Sequence, residues 1–250
     1  MSQPATRRTQ QSPWLSLGQR LSSESRQVAI GHTSFQLICL GDMEEALSAS
    51  LKAVGAQDRP ASHANTAEFN PYFGVIWPAA VALSEHLDHQ LQVQPKPKML
   101  MELGCGLALP SLLAARRGVG QIIATDRHPL VGEFLVRNCQ ANDLGAIQYA
   151  ELDWRHMGQA STDAWKGGVD LLVGSDLLYE AWQPGFLAAA AAQLLAPGGT
   201  ALFADPGRHY MDDFLNLSEA HGLSSRQLHV RSVVLGGRAT DVLIAELGWK

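Results

Sequence analysis

From Trp77 onward the chain alternates between two periodicities, and that alternation limits the fold more than any other feature. Apolar runs of strand length at 98–103, 121–125, 147–152, 169–175 and 200–204 are separated by stretches of helical spacing at 78–91, 109–117, 130–142 and 186–195. The first of these helices carries Pro78 in its opening turn, where the missing N–H costs nothing. Apolar runs without polar alternation are strands buried on both faces, so helices must cover both sides of a mostly parallel sheet. The expected class is therefore a doubly wound α/β fold. Two further strand-like runs, 223–235 and 239–247, meet at Gly236-Gly237 and read as an antiparallel hairpin added to the sheet edge.

The first 70 residues do not share this rhythm. Residues 1–27 hold Arg7, Arg8, Arg20 and Arg26 against Glu24 alone, among many Ser and Gln, and read as a flexible tail. Residues 28–40 suggest a short hairpin or edge strand, and 43–54 a helix with Met43, Leu47, Leu51 and Val54 on one face. Residues 57–70 contain Pro60 and no periodicity, so 28–70 is expected to be an appendage and linker, with the main domain at 71–250.

Composition narrows the setting. With 19 basic and 24 acidic residues the net charge is -5, which gives no bulk attraction to nucleic acid or an anionic membrane. No apolar stretch reaches the roughly 18 residues of a membrane span. Cys39, Cys105 and Cys139 are widely spaced and odd in number, and form neither a disulfide framework nor a CxxC site. A cytoplasmic, bacterial setting is expected; the Arg-rich, Ser-rich start leaves the mitochondrial matrix as the alternative.

In an open α/β sheet the chemistry lies at the carboxyl ends of the strands. Glu102-Leu-Gly104-Cys-Gly106 follows the first strand and precedes a helix, as a turn that lets a ligand approach the backbone. Asp126 ends the next strand, 20 residues beyond Gly106, where a carboxylate can meet ribose hydroxyls. A dinucleotide fingerprint places Gly or Ala three positions after the second glycine; here stands Leu109, followed by Pro110, which has no N–H for a phosphate. The site suits a nucleoside without phosphates, of which S-adenosylmethionine (SAM) is the common one. Asp153-Trp154 after the third strand could meet and cover an adenine, although Asp153 could equally cap a helix and Trp154 fill the core. Ser175, Asp176 and Tyr179 follow the fourth strand, where a transferred methyl group would lie.

These motifs resemble the seven-strand, class I SAM-dependent methyltransferases of Rossmann-like fold. The segment Pro71-Tyr-Phe-Gly-Val-Ile-Trp77-Pro78 and Asp176-Leu-Leu-Tyr179 are similar to those of the protein-lysine methyltransferases. Asp205-Pro-Gly-Arg208 and Arg137-Asn-Cys139 look most like the electron-transfer-flavoprotein β-subunit lysine methyltransferases; Ala108 departs from them, standing where many members have a third glycine. The resemblance implies that Glu102 organises the methionine end of SAM, Asp126 holds the ribose, and Asp153 and Trp154 frame adenine. It places Trp77 along the methionine chain, with Gly104, Gly106 and Ser175 also against the cofactor and Asp176 and Tyr179 as catalytic residues. The implied reaction converts SAM to S-adenosylhomocysteine (SAH) and methylates a lysine of a protein, with the flavoprotein β-subunit as the leading partner. Neither nucleic acid nor membrane is expected as a partner.

Three rival functions are weaker. A nucleobase amino-methyltransferase would carry prolines where Leu177 and Leu178 stand, a small-molecule methyltransferase shares fold and cofactor, and a binding module would not retain every cofactor position. His86 and His89 lie three apart on one helix beside Glu85 and Asp88, but without a third ligand they read as a solvated face, and no metal is expected.

Overall fold

The computed structural model describes residues 21–55, 70–145, 147–157 and 163–250. The expected tail up to residue 20 and nearly all of the expected linker fall outside them. In chain order the elements are β1 (Ser23–Ile30), β2 (Thr33–Leu40), α1 (Met43–Gly55), a 3-10 turn at Tyr72–Gly74, α2 (Pro78–Val93), β3 (Met99–Leu103), α3 (Leu109–Arg116), β4 (Gln121–Asp126) and α4 (Val131–Ala141). Then follow β5 (Gln148–Glu151), a 3-10 turn at Trp154–His156, β6 (Val169–Ser175), α5 (Gln183–Leu194), β7 (Leu195–Asp205), α6 (Tyr210–Ala220), β8 (Leu223–Leu235) and β9 (Arg238–Trp249).

Seven strands form one sheet in the order β5-β4-β3-β6-β7-β9-β8, the first five mutually parallel and β9 antiparallel to both of its neighbours. Successive residues of a strand face opposite sides, and both sides are apolar here. Leu100, Leu171, Val173 and Leu202 join a core with α2, α3, α4 and the β1–β2 hairpin. Met101, Leu172, Ala201 and Phe203 join a second core with α5 and α6. The order reverses beside β3, whose neighbours are β4 and β6, so a crevice opens at the carboxyl ends of these three strands.

Two expectations need correction. Residues 23–27, read as tail, form the first five of the eight residues of β1 and pair with residues 36–40 of β2. Their side chains are polar and exposed, so this part of the strand is held by ladder bonds, while Val28 and Ile30 anchor its other end in the core. Helix α6, which begins at Tyr210, was not among the expected helices; it buries Met211, Phe214 and Ser218.

Candidate functional site

The crevice begins at the glycine turn. Gly104 and Gly106 have φ of +57° and +50°, and a Cβ on Gly104 would stand 2.4 Å from Leu177 Cδ2. A Cβ on Gly106 would stand 3.1 Å from the Phe73 carbonyl oxygen. The turn is thus pressed between the loop after β6 and the aromatic segment before α2. Ala108 also has a left-handed backbone, φ 61°, at the entry to α3. The third glycine it replaces would meet that geometry without strain. The conformation is fixed by bonds from Ala108 N to Cys105 O at 2.6 Å and from Leu112 N to Ala108 O at 2.9 Å.

Glu102 lies behind the turn, 1% exposed, and its carboxyl accepts from Ser111 N at 3.0 Å and from Ser111 Oγ. It does not line the cavity. Its carboxyl is tied to the first turn of α3 and holds the glycine turn from beneath. Burial pushes the Glu102 carboxyl up to about 8 from its ordinary 4.5, against the pull of the Ser111 bonds. A carboxyl raised on folding contributes stability fully present below about pH 4.5 and lost as pH rises through about 8. Glu102→Gln is expected to flatten this slope while keeping an acceptor for Ser111. Thermal unfolding from pH 5 to 9 checks it, and parallel pH profiles of parent and variant would contradict it.

A cavity of about 440 Å³ runs along the strand ends and is lined by the other expected residues: Trp77, Gly104, Gly106, Asp126, Asp153, Trp154, Ser175, Asp176 and Tyr179. Its size is that of a small-molecule site. The Asp126 carboxylate accepts from Gly106 N at 3.1 Å and from His128 N at 2.8 Å, which fixes its orientation and leaves lone pairs for a diol. Burial raises its pKa and those two N–H groups lower it. Asp153 serves as the cap of the Trp154–His156 turn, accepting from Arg155 N at 3.0 Å, and pairs with the Arg155 guanidinium through Nε at 2.9 Å and Nη2 at 2.5 Å. Burial opposes its ionisation, but the Arg155 bonds prevail and hold its carboxyl below the usual range. The Trp154 indole N–H is buried and without a hydrogen-bond partner among the described residues, while its ring edge lies 3.5 Å from the Cβ position of Gly104.

At the other end of the cavity Asp176, 8% exposed, follows β6 with a left-handed backbone, φ 57°. Its Oδ1 lies 2.9 Å from Arg208 Nη2, and its carboxylate faces the backbone N–H of Ala79 at the start of α2. Arg208 in turn reaches Asp205 Oδ2 with Nη1 at 2.7 Å, and Asp205 Oδ1 accepts from Arg208 N at 2.7 Å. Asp176 is thus one of two carboxylates that share the Arg208 guanidinium, and not an isolated carboxylate. Burial still raises its pKa, and Arg208 opposes that. Tyr72, Trp77 and Tyr179 stand at the cavity mouth, with Tyr72 edge-on to both at centroid distances of 6.3 and 6.0 Å. Trp77 Nε1 donates to Tyr72 O at 2.9 Å, and the Gln183 side chain accepts from Tyr179 N and Glu180 N, both at 2.7 Å.

The family described as lysine methyltransferase matches residues 62–220, well over half of the chain. The chain belongs to this family. It is 28% identical over 160 residues to the electron transfer flavoprotein beta subunit lysine methyltransferase of Danio rerio, covering 64% of this chain and 59% of that protein. It is 30% identical over 106 residues to the histone-arginine methyltransferase METTL23 of Rattus norvegicus, covering 42% of this chain and 46% of that one. The matched region therefore spans about half to three fifths of these relatives. Among solved structures, M. jannaschii TYW2 in complex with AdoMet superposes with a TM-score of 0.52 at 12% identity, covering 90% of this chain and 87% of that chain.

Within the family frame, sequence reasoning missed several residues that the fold brings to the site. Leu37 of β2 reaches the cavity from the N-terminal hairpin, 67 positions before Gly104. Trp182 lines it too, with the guanidiniums of Arg155 and Arg127 over its ring at 5.2 and 5.9 Å. His128 lines the cavity as well and packs its ring against Phe73 at a centroid distance of 4.5 Å. The histidine pair on α2 took a different course: His86 stacks on His229 of β8 at 4.5 Å, and burial lowers its pKa to about 4. Among the described residues no group of three or more potential metal ligands gathers anywhere, and no helix is long and apolar enough to cross a membrane.

Proposed function

We propose that this protein is a SAM-dependent methyltransferase that methylates a lysine side chain of a protein. The observation that carries the reading is the arrangement of one cavity: the glycine turn with Asp126 and Asp153-Trp154 at one end, and three aromatic rings beside Asp176 at the other. The donor set fits the nucleoside. Asp126 would hold the ribose hydroxyls with its remaining lone pairs, Asp153 and Trp154 would frame adenine, and Gly104, Gly106 and Ser175 would bound the chain that leads to sulfur. SAM supplies an electrophilic methyl group on a sulfonium. Every remaining task falls to the protein: aligning the acceptor amine with the methyl–sulfur axis and letting it lose its proton to solvent at the exposed Tyr72 and Tyr179.

That proton decides the design of the acceptor end. An ordinary lysine has a pKa near 10.4, so its neutral form at pH 7 costs about 4 to 5 kcal/mol. A lone carboxylate at Asp176 would bind the ammonium and also hold its proton in place. Arg208, shared with Asp205, offsets part of that charge, so Asp176 can orient the amine while stabilising the cation less than a lone carboxylate would. Tyr72, Trp77 and Tyr179 offer flat apolar walls for a flexible four-carbon stem, and their faces attract a cation on approach. The net charge of -5 favours a basic patch on the acceptor protein, so turnover should fall as salt rises.

The leading acceptor is the β-subunit of an electron-transfer flavoprotein, the substrate named for the zebrafish relative. The direct test supplies methyl-labelled SAM to the purified protein together with that subunit, a histone mixture, transfer RNA and a small-metabolite extract. Label in the flavoprotein subunit is the expected result. Label confined to RNA or to metabolites rejects the protein-acceptor reading.

A further inference from the structure

The N-terminal hairpin was expected to be an appendage, yet its free edge is bonded into the cofactor side of the domain. β1 occupies one edge of β2. On the other edge, α4 presents two buried amides in place of a third strand. Asn142 Oδ1 accepts from Gln36 N at 2.9 Å and its Nδ2 donates to Gln36 O at 2.7 Å, while Asn138 Oδ1 accepts from Ile38 N at 2.6 Å. Residues four apart on a helix rise about 6 Å and residues two apart on a strand about 6.8 Å, so the spacing of Asn138 and Asn142 matches that of Gln36 and Ile38. Asn138 is 0% exposed, and its Nδ2 donates to Leu107 O in the glycine turn at 3.2 Å. Leu37, between the two tethered residues, is fully buried and forms part of the cavity wall.

We infer that Asn138 is a positioning residue that joins the N-terminal hairpin to the glycine turn, so that the hairpin belongs to the nucleoside-binding site. The inference rests on the SAM reading of the cavity and extends it to residues 23–40. One carboxamide satisfies a strand N–H with its oxygen and a turn carbonyl with its nitrogen. Opening of the hairpin therefore leaves the Asn138 oxygen and Ile38 N–H unpaired and frees the Leu107 carbonyl to drift. Asn142 holds the same strand but makes no bond to the turn, which makes it the control.

Amide hydrogen exchange of the full chain, with and without SAH, tests the coupling without any substitution. Two linked sites must stabilise one another reciprocally. SAH is expected to slow exchange at Gln36 and Ile38 together with Cys105 and Ala108, and to leave the β8–β9 ladder at its ligand-free rate. Protection of the glycine turn alone would overturn the inference. In the ligand-free protein Asn138→Ala is expected to speed exchange at Cys105 and Ala108, whereas Asn142→Ala speeds Gln36 and leaves those two near the parental rate. SAH affinity by calorimetry should fall about tenfold in Asn138→Ala and less than threefold in Asn142→Ala. If the parent binds no SAH, the cofactor reading fails, and the ligand-free exchange of the two variants still decides the tether: equal turn exchange in parent and Asn138→Ala rejects it.

Discussion

Asp126→Ala is expected to weaken SAM and SAH about ten- to hundredfold while leaving the fold intact. The carboxylate is oriented by two backbone N–H groups and would accept two ribose hydroxyls, and hydrogen bonds to an ionised acceptor contribute roughly 1.5 to 3 kcal/mol. Alanine also leaves Gly106 N and His128 N without their acceptor, so a small loss of thermal stability should accompany the loss of affinity. Calorimetric titration of the variant checks this. Unchanged affinity, or tight binding of NAD by the parent, would remove the nucleoside assignment.

Asp176→Asn is expected to lower kcat/KM by roughly ten- to hundredfold and to leave SAH affinity near the parental value. Asparagine tolerates the left-handed backbone that this position requires, so the change removes charge with little backbone cost. Arg208 keeps Asp205 as its partner, and the loop after β7 stays in place. The cavity then loses the carboxylate that faces the incoming ammonium, and Arg208 is left paired with Asp205 alone, which should raise KM, while lost orientation lowers kcat. Turnover at the parental rate would move the assignment to Tyr179 or Arg208 itself.

How much of this was legible in the sequence depended on the distance between interacting residues. The sheet could be read because its central strands are buried on both faces and announce themselves as short apolar runs such as 171–173 and 201–204. The cofactor residues could be read because each follows its strand directly: Gly104 after β3, Asp126 at the end of β4, Asp153 after β5 and Ser175 at the end of β6. The first part of β1, residues 23–27, was hidden by its polar, exposed side chains, which mimic an unstructured tail until a partner strand is known. The charge compensation of Asp176 was hidden because Arg208 lies 32 positions away on another loop, and nothing in either local pattern predicts the 2.9 Å approach. The inward turn of Glu102 was hidden for a related reason: its acceptor role goes to Ser111, nine residues on, in a helix whose first turn lacks the N–H of Pro110. Motif positions thus locate a site, and long-range polar pairs set how its charges act.

The central claim, that a lysine amine accepts the methyl group at the aromatic mouth beside Asp176, is tested most directly by residue-level mass spectrometry. The flavoprotein β-subunit would be digested and sequenced after reaction with the parent protein and SAM. The account predicts added methyl groups on lysine, absent when Asp176→Asn replaces the parent for the same short reaction time. Methylation found only on arginine or another residue type, or no methylation of the subunit by a parent that binds SAM, would contradict it.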